Sequence, residues 1–77
     1  MTTTQRERLK IVKKDLEFVL ADLDEALVDA QVHYGHLTDD VKKSERGKTA
    51  HERVKNLDHA NYFVKLAGQA LGKILAN

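Results

Sequence analysis

Residues 9–30 carry apolar side chains in unbroken three-four alternation: Leu9, Val12, Leu16, Val19, Leu23, Ala26 and Ala30. Leu20, Leu27 and Tyr34 lie alongside this stripe. Only an α-helix brings residues three and four apart onto one face, so the pattern demands a long helix with a seam three heptads long. Thr4 followed by Glu7 forms a capping box that starts it, and the helix is expected to reach about His33, with Gly35 as its stop. The chain contains no proline that would break it.

A second stripe follows from Thr49 onwards. Thr49 and Glu52 form another capping box, and Ala50, Val54, Leu57, Ala60, Val64, Ala67, Leu71, Ile74 and Leu75 return at helical spacing. Phe63 and Ala70 widen the stripe on one flank. Gly68 and Gly72 are weak points where this helix is open to splitting, since each glycine costs about 1 kcal/mol relative to alanine. Between the stripes, Thr38, Asp39 and Asp40 signal a short helix from about residue 39 to 46, ended by Gly47. The expected fold is therefore all-α, a single domain over residues 1–77 with 1–3 frayed, in which two long helices have short ones between or within them. Seventy-seven residues lie near the lower limit for an independent core, and with no cysteine there is no disulfide to staple it.

Ile11, Phe18, Val28 and Val32 project from the side of the first helix opposite its stripe. The expectation is that the short middle helix folds over and covers them. The functional alternative makes them a face for lipid, a protein partner or a second copy.

Charge nearly cancels, at +1 overall, but is zoned. Residues 6–14 and 42–55 are basic, whereas Asp15, Glu17, Asp22, Asp24, Glu25 and Asp29 form an acidic run with no base among them. Antiparallel packing would allow the acidic half of the first helix to pair with the basic start of the last. Surface pairs add only about 0–1 kcal/mol each, so the runs are expected to be solvated and partly self-paired. No basic field or recognition-helix signature points to nucleic acid. His33, His36, Asp29 and Asp39 have loose spacing for a metal, with Gly35 between the histidines, so no metal is expected. Ser44 sits in a charged run unlike a nucleophile elbow, and nothing suggests that the paired carboxylates of the first helix are buried. Neither an enzyme, a cofactor nor a small-molecule substrate is expected.

The opening MTTTQRERLK lacks the apolar core of a secretory signal, and no apolar run is long enough to span a bilayer, so the expected compartment is the cytoplasm. Peripheral membrane association is compatible with the closing stretch, where Tyr62, Phe63, Leu66, Leu71, Ile74 and Leu75 combine with Lys65 and Lys73.

The segments LEFVLADLDEALVDAQVHYGHL and NYFVKLAGQALGKILAN, together with the chain length and absence of cysteine, resemble the bacterial PAS factors, small proteins associated with release of periplasmic proteins. The resemblance implies a small saposin-like helical bundle that associates with lipid and opens around its apolar interior, without the disulfides of ordinary saposins. It implies a function in perturbing bilayers and promoting leakage or secretion, with an anionic membrane as partner. The alternative is a soluble helical adaptor or regulator that binds a protein partner, or a second copy, through Ile11, Phe18, Val28 and Val32.

Overall fold

The computed structural model describes residues 1–76, and the last residue of the expected domain, Asn77, lies outside them. Helix α1 spans Thr3–Gly35, α2 is a single turn at Asp39–Lys42, and α3 spans Glu45–Ala76. The long helices run antiparallel as a hairpin 57 Å long and 15 by 14 Å across. It is two helices wide and one deep. A third layer is absent from the described residues.

The first helix starts earlier than Thr4. Thr2 is the N-cap: its backbone N–H donates to Gln5 Oε1 at 3.0 Å, and its Oγ1 accepts from the Gln5 N–H at 3.1 Å. Thr2-x-x-Gln5 and Thr4-x-x-Glu7 both satisfy the capping-box pattern, and the outer box wins because it leaves two more residues hydrogen-bonded in the helix. At the other end α1 stops at Gly35, near its expected limit. Gly35 keeps a negative φ, and the His36 N–H closes the turn on the Val32 and His33 carbonyls.

The turn differs from expectation. Thr38 caps α2 by accepting from the Val41 N–H at 3.3 Å, but α2 lasts one turn instead of reaching residue 46. Helix α3 starts at Glu45, five residues before Ala50, and Ser44 precedes it: the Ser44 carbonyl accepts from the Lys48 N–H at 3.0 Å, and its Oγ accepts from the Gly47 N–H at 3.4 Å. Thr49 and Glu52 therefore lie within α3 and cap nothing. Gly47 is a close approach and not a terminator. It is buried, and a Cβ there would collide with the Val41 carbonyl and the Lys42 backbone. Gly68 and Gly72 do not split α3, which continues through both.

The seam between the helices lies about 50° away from the expected stripe on α1. Leu9, Lys13, Leu16, Leu20, Leu23, Leu27, Ala30 and Tyr34 face α3, and Val12 and Val19 remain 45% and 44% exposed. This register encloses all five leucines of residues 9–27, whereas the expected one exchanges two of them for valines. The gain in covered area outweighs admitting Lys13, whose aliphatic stem lies over Gly72. On α3 the seam comprises Gly47, Ala50, Val54, Leu57, Asn61, Val64, Gly68, Leu71 and Leu75, again in three-four alternation, with Ile74 left outside. Two helices cannot enclose their own seam. Ala30 and Ala50, 9% and 6% exposed, are its only buried apolar side chains among the described residues, and the leucines are partly covered.

Each end of the hairpin is tied. At the turn, the Tyr34 ring lies 5.5 Å from the His51 ring, with Lys42 Nζ 5.1 Å from the Tyr34 centroid. At the open end, the Arg6 guanidinium donates to the Leu75 carbonyl. Because α2 is one turn long and lies against the start of α3, it leaves Ile11, Phe18, Val28 and Val32 exposed. The expected cover over these residues is absent.

A candidate docking surface

The eight lipid-contact candidates do not form one surface. Leu71 and Leu75 are half-buried in the seam. Phe63 and Lys65 point about 160° apart around α3, and Lys65 borders a groove on the opposite side of the hairpin from Phe63. Tyr62 touches Phe63 edge-on, with centroids 5.7 Å apart, but turns towards the groove side. Leu66 and Lys73 occupy the outer edge of α3, while Phe63 and Ile74 share a different side. The four α1 candidates divide similarly. Ile11, Phe18 and Val32 line its outer edge at heptad spacing, interrupted by Glu25, and Val28 turns towards the groove side.

The surface that does come together joins two of those candidates, Phe63 and Ile74, to residues of the two stripes expected in the core. A hollow of about 270 Å³ near the turn is lined by His33, Arg46, Thr49, Ala50 and Arg53. His33 is one heptad beyond Ala26, Arg53 is one heptad before Ala60, and Thr49 is two heptads before Phe63. These positions therefore lie on the same side of the hairpin. Extended away from the turn, that side carries Val12, Val19 and Ala26 from α1, and Ala60, Phe63, Ala67, Ala70 and Ile74 from α3. On α3 the strip is uncharged between the levels of Ala26 and Val12. On α1 the row that corresponds to Phe63 and Ala70 is Asp15, Asp22 and Asp29, so the α1 share of the strip is the single row Val12, Val19 and Ala26. The opposite side presents Lys10, Glu17, Asp24 and Gln31 from α1, with Asp58, Lys65 and Gln69 from α3, and the exposed Val28 and Tyr62 among them. The hairpin is amphipathic as a unit. A signal for this was present in the sequence: Ala60, Phe63, Ala67, Ala70 and Ile74 make a second three-four repeat beside the seam.

Charged residues border the apolar side without crossing it. Asp15, Asp22 and Asp29 repeat every seven residues along its α1 edge, and His59, Leu66 and Lys73 follow its α3 edge. The acidic run of α1 finds no basic partner on α3. Asp24 lies level with Asn61 and Tyr34 with His51, so residues 15–29 run alongside residues 56–70, and the basic start of α3 lies beside the end of α1. The ion pairs among the described residues are Lys10–Glu7 at 3.2 Å, Lys13–Glu17 at 3.3 Å and Lys48–Glu45 at 3.5 Å, each within one helix and open to solvent. Such pairs add about 0–1 kcal/mol apiece. Among the described residues the charged runs pair within their own helices and not between them.

On the groove side, Gly68 and Gly72 leave an opening of about 380 Å³ in the seam, walled by Leu16, Leu20 and Val64 and bordered by Lys13, Glu17, Lys65 and Gln69. His33 shares its hollow with Arg46 and Arg53, cationic neighbours that oppose a metal ion there. Among the described residues no helix is long and apolar enough to cross a membrane. Compared with protein-family models, curated proteins and solved structures, the chain matches none.

Proposed function

We propose that this chain is a non-enzymatic docking module, a helical hairpin whose apolar side packs against helices of a protein partner. The observation that carries this reading is the apolar strip formed by Val12, Val19, Ala26, Ala60, Phe63, Ala67, Ala70 and Ile74, which no third element among the described residues covers. Ala26 and Ala60 are partly shielded by the seam, and the other six are exposed. Alanines between larger side chains suit it to a close-approaching helix surface. The Asp15, Asp22 and Asp29 edge repels an anionic headgroup layer, which favours protein over lipid on this side. A photo-crosslinking amino acid at position 19 or 67, compared with 17 or 69 on the polar side, tests the reading in cells. Protein adducts confined to positions 19 and 67 support it. Equal labelling of both sides overturns it.

A second reading has its own observation in favour. Tyr62, Phe63 and Leu66 are exposed on successive flanks of α3, with Lys65 and Lys73 nearby, a combination suited to the headgroup layer of an anionic membrane. With the resemblance to PAS factors, this makes the chain a peripheral protein that perturbs bilayers and promotes leakage or secretion. A saposin-like opening of the hairpin then offers Leu71 and Leu75 to lipid. Co-sedimentation with anionic and neutral vesicles separates the readings, since docking through the apolar side predicts no preference for anionic lipid.

A further inference from the structure

The apolar side has a shape and a surround that suit one occupant in particular. The chain exposes 5864 Å². A folded monomer of 8.7 kDa is expected to expose only about 4,700 Å², so this hairpin shows roughly 1,100 Å² more than its mass warrants. A standard interface removes about 800 Å² from each partner, and permanent homodimers remove more. Covering the apolar side of two hairpins against each other accounts for an excess of that size.

We infer that the occupant is a second copy of this chain, giving an antiparallel four-helix bundle in which α1 of each copy lies on α3 of the other. This rests on the docking reading above and names its partner. Charge selects the arrangement. A two-fold axis parallel to the helices sets Val19 over Ala67 of the second copy and brings the Asp15 and Asp22 edge towards Lys73 and His59. A two-fold axis across the helices would instead lay Asp15 against Asp22 of the second copy, which like charges oppose. Both arrangements cover the same apolar residues, but only the first avoids placing the acidic edge on itself.

Sedimentation equilibrium of the full chain, from micromolar to millimolar concentration, provides the test. The expected mass is twice 8.7 kDa. Ala67→Glu and Val19→Glu each place an unpaired charge in the covered interface and should weaken association by roughly 100-fold or more, while helix content by circular dichroism is retained. Gln69→Glu, on the polar side, should leave the dimer unchanged. Since the chain has no cysteine, a mixture of Val19→Cys and Ala67→Cys chains should form a mixed disulfide under oxidation faster than either forms one with itself. A wild-type chain that stays at 8.7 kDa throughout overturns the inference. If crosslinks from position 67 then lead to a different protein, the docking reading stands without the dimer. If they lead to no protein, both fall.

Discussion

Asn61 reaches across the seam and donates from Nδ2 to the carboxylate of Asp24. It is 5% exposed and is the only buried polar or charged side chain among the described residues. It occupies a position where a leucine or valine would cover more apolar area. A polar side chain in a seam favours the registers that supply it with an acceptor, here Asp24, the nearest alternatives being Glu17 and Gln31 one heptad to either side. The hairpin gives up stability there for register.

The pair can be taken apart in order. Asp24→Ala leaves the Asn61 amide buried without its acceptor and should cost about 1–3 kcal/mol. Adding Asn61→Leu to that variant should recover most of the loss, because an apolar seam residue needs no partner. Urea midpoints for the two single variants and the double variant measure the coupling. Equal losses from Asp24→Ala in both backgrounds would show that the hydrogen bond contributes nothing to the fold.

The glycines should respond in opposite directions. A Cβ at Gly68 meets no atom within 4 Å, so Gly68→Ala should stabilise the hairpin by about 1 kcal/mol through helix propensity alone. Gly47→Ala forces the start of α3 off the α2 backbone and should destabilise by more than that propensity gain restores. Thermal melts of the two variants beside the parent give the signs directly.

Leu66 and Leu71 lie on the same helix in different surroundings. Leu66 is 42% exposed on the outer edge of α3, whereas Leu71 is half-buried in the seam. Leu66→Ser should leave the melting midpoint nearly unchanged. Leu71→Ser should lower stability by about 1–3 kcal/mol, below the cost at a fully buried leucine because solvent already reaches part of it. A dye-leakage assay on the folded Leu66→Ser chain tests the membrane reading as well. Leakage equal to the parent's removes Leu66 from any lipid surface.

Lys65→Glu combined with Lys73→Glu tests the charge in that same reading. Both positions are exposed, so folding should be little affected. Binding to anionic vesicles should fall by about 1 kcal/mol for each basic residue removed and lose its salt dependence. Unchanged vesicle binding would show that α3 does not approach the membrane through these lysines.

The helical content, the two long elements and both ends of α1 to within two residues were legible because three-four repeats and polar caps are local features. The angle of the seam was not. Leu16 and Leu23 belong equally to a stripe through Val12 and Val19 and to one through Leu20 and Leu27, and only the area covered against α3 decides between them. The start of α3 was missed because Gly47 reads as a stop signal, whereas its missing side chain serves packing against α2. The candidate surface was concealed for a related reason. Val12, Val19, Ala67 and Ile74 have the composition of a core, and the sequence does not show that the hairpin lacks a third layer to make them one.

The level pairing of the two helices also sets an order of assembly. Near the turn the pairs that meet are close in sequence, and the loop closed when Tyr34 meets His51 is short. Asp24 and Asn61 are 37 residues apart, and Arg6 and Leu75 are 69 apart. Closing a loop costs more entropy as it lengthens, so each contact made near the turn lowers the cost of the next one outwards. The hairpin should close like a zipper from Tyr34 towards Arg6, and reopen from the Arg6–Leu75 end. Amide hydrogen exchange should therefore be fastest beside Arg6 and Leu75 and slowest between the Asn61 bridge and the turn, a gradient of protection along a single pair of helices.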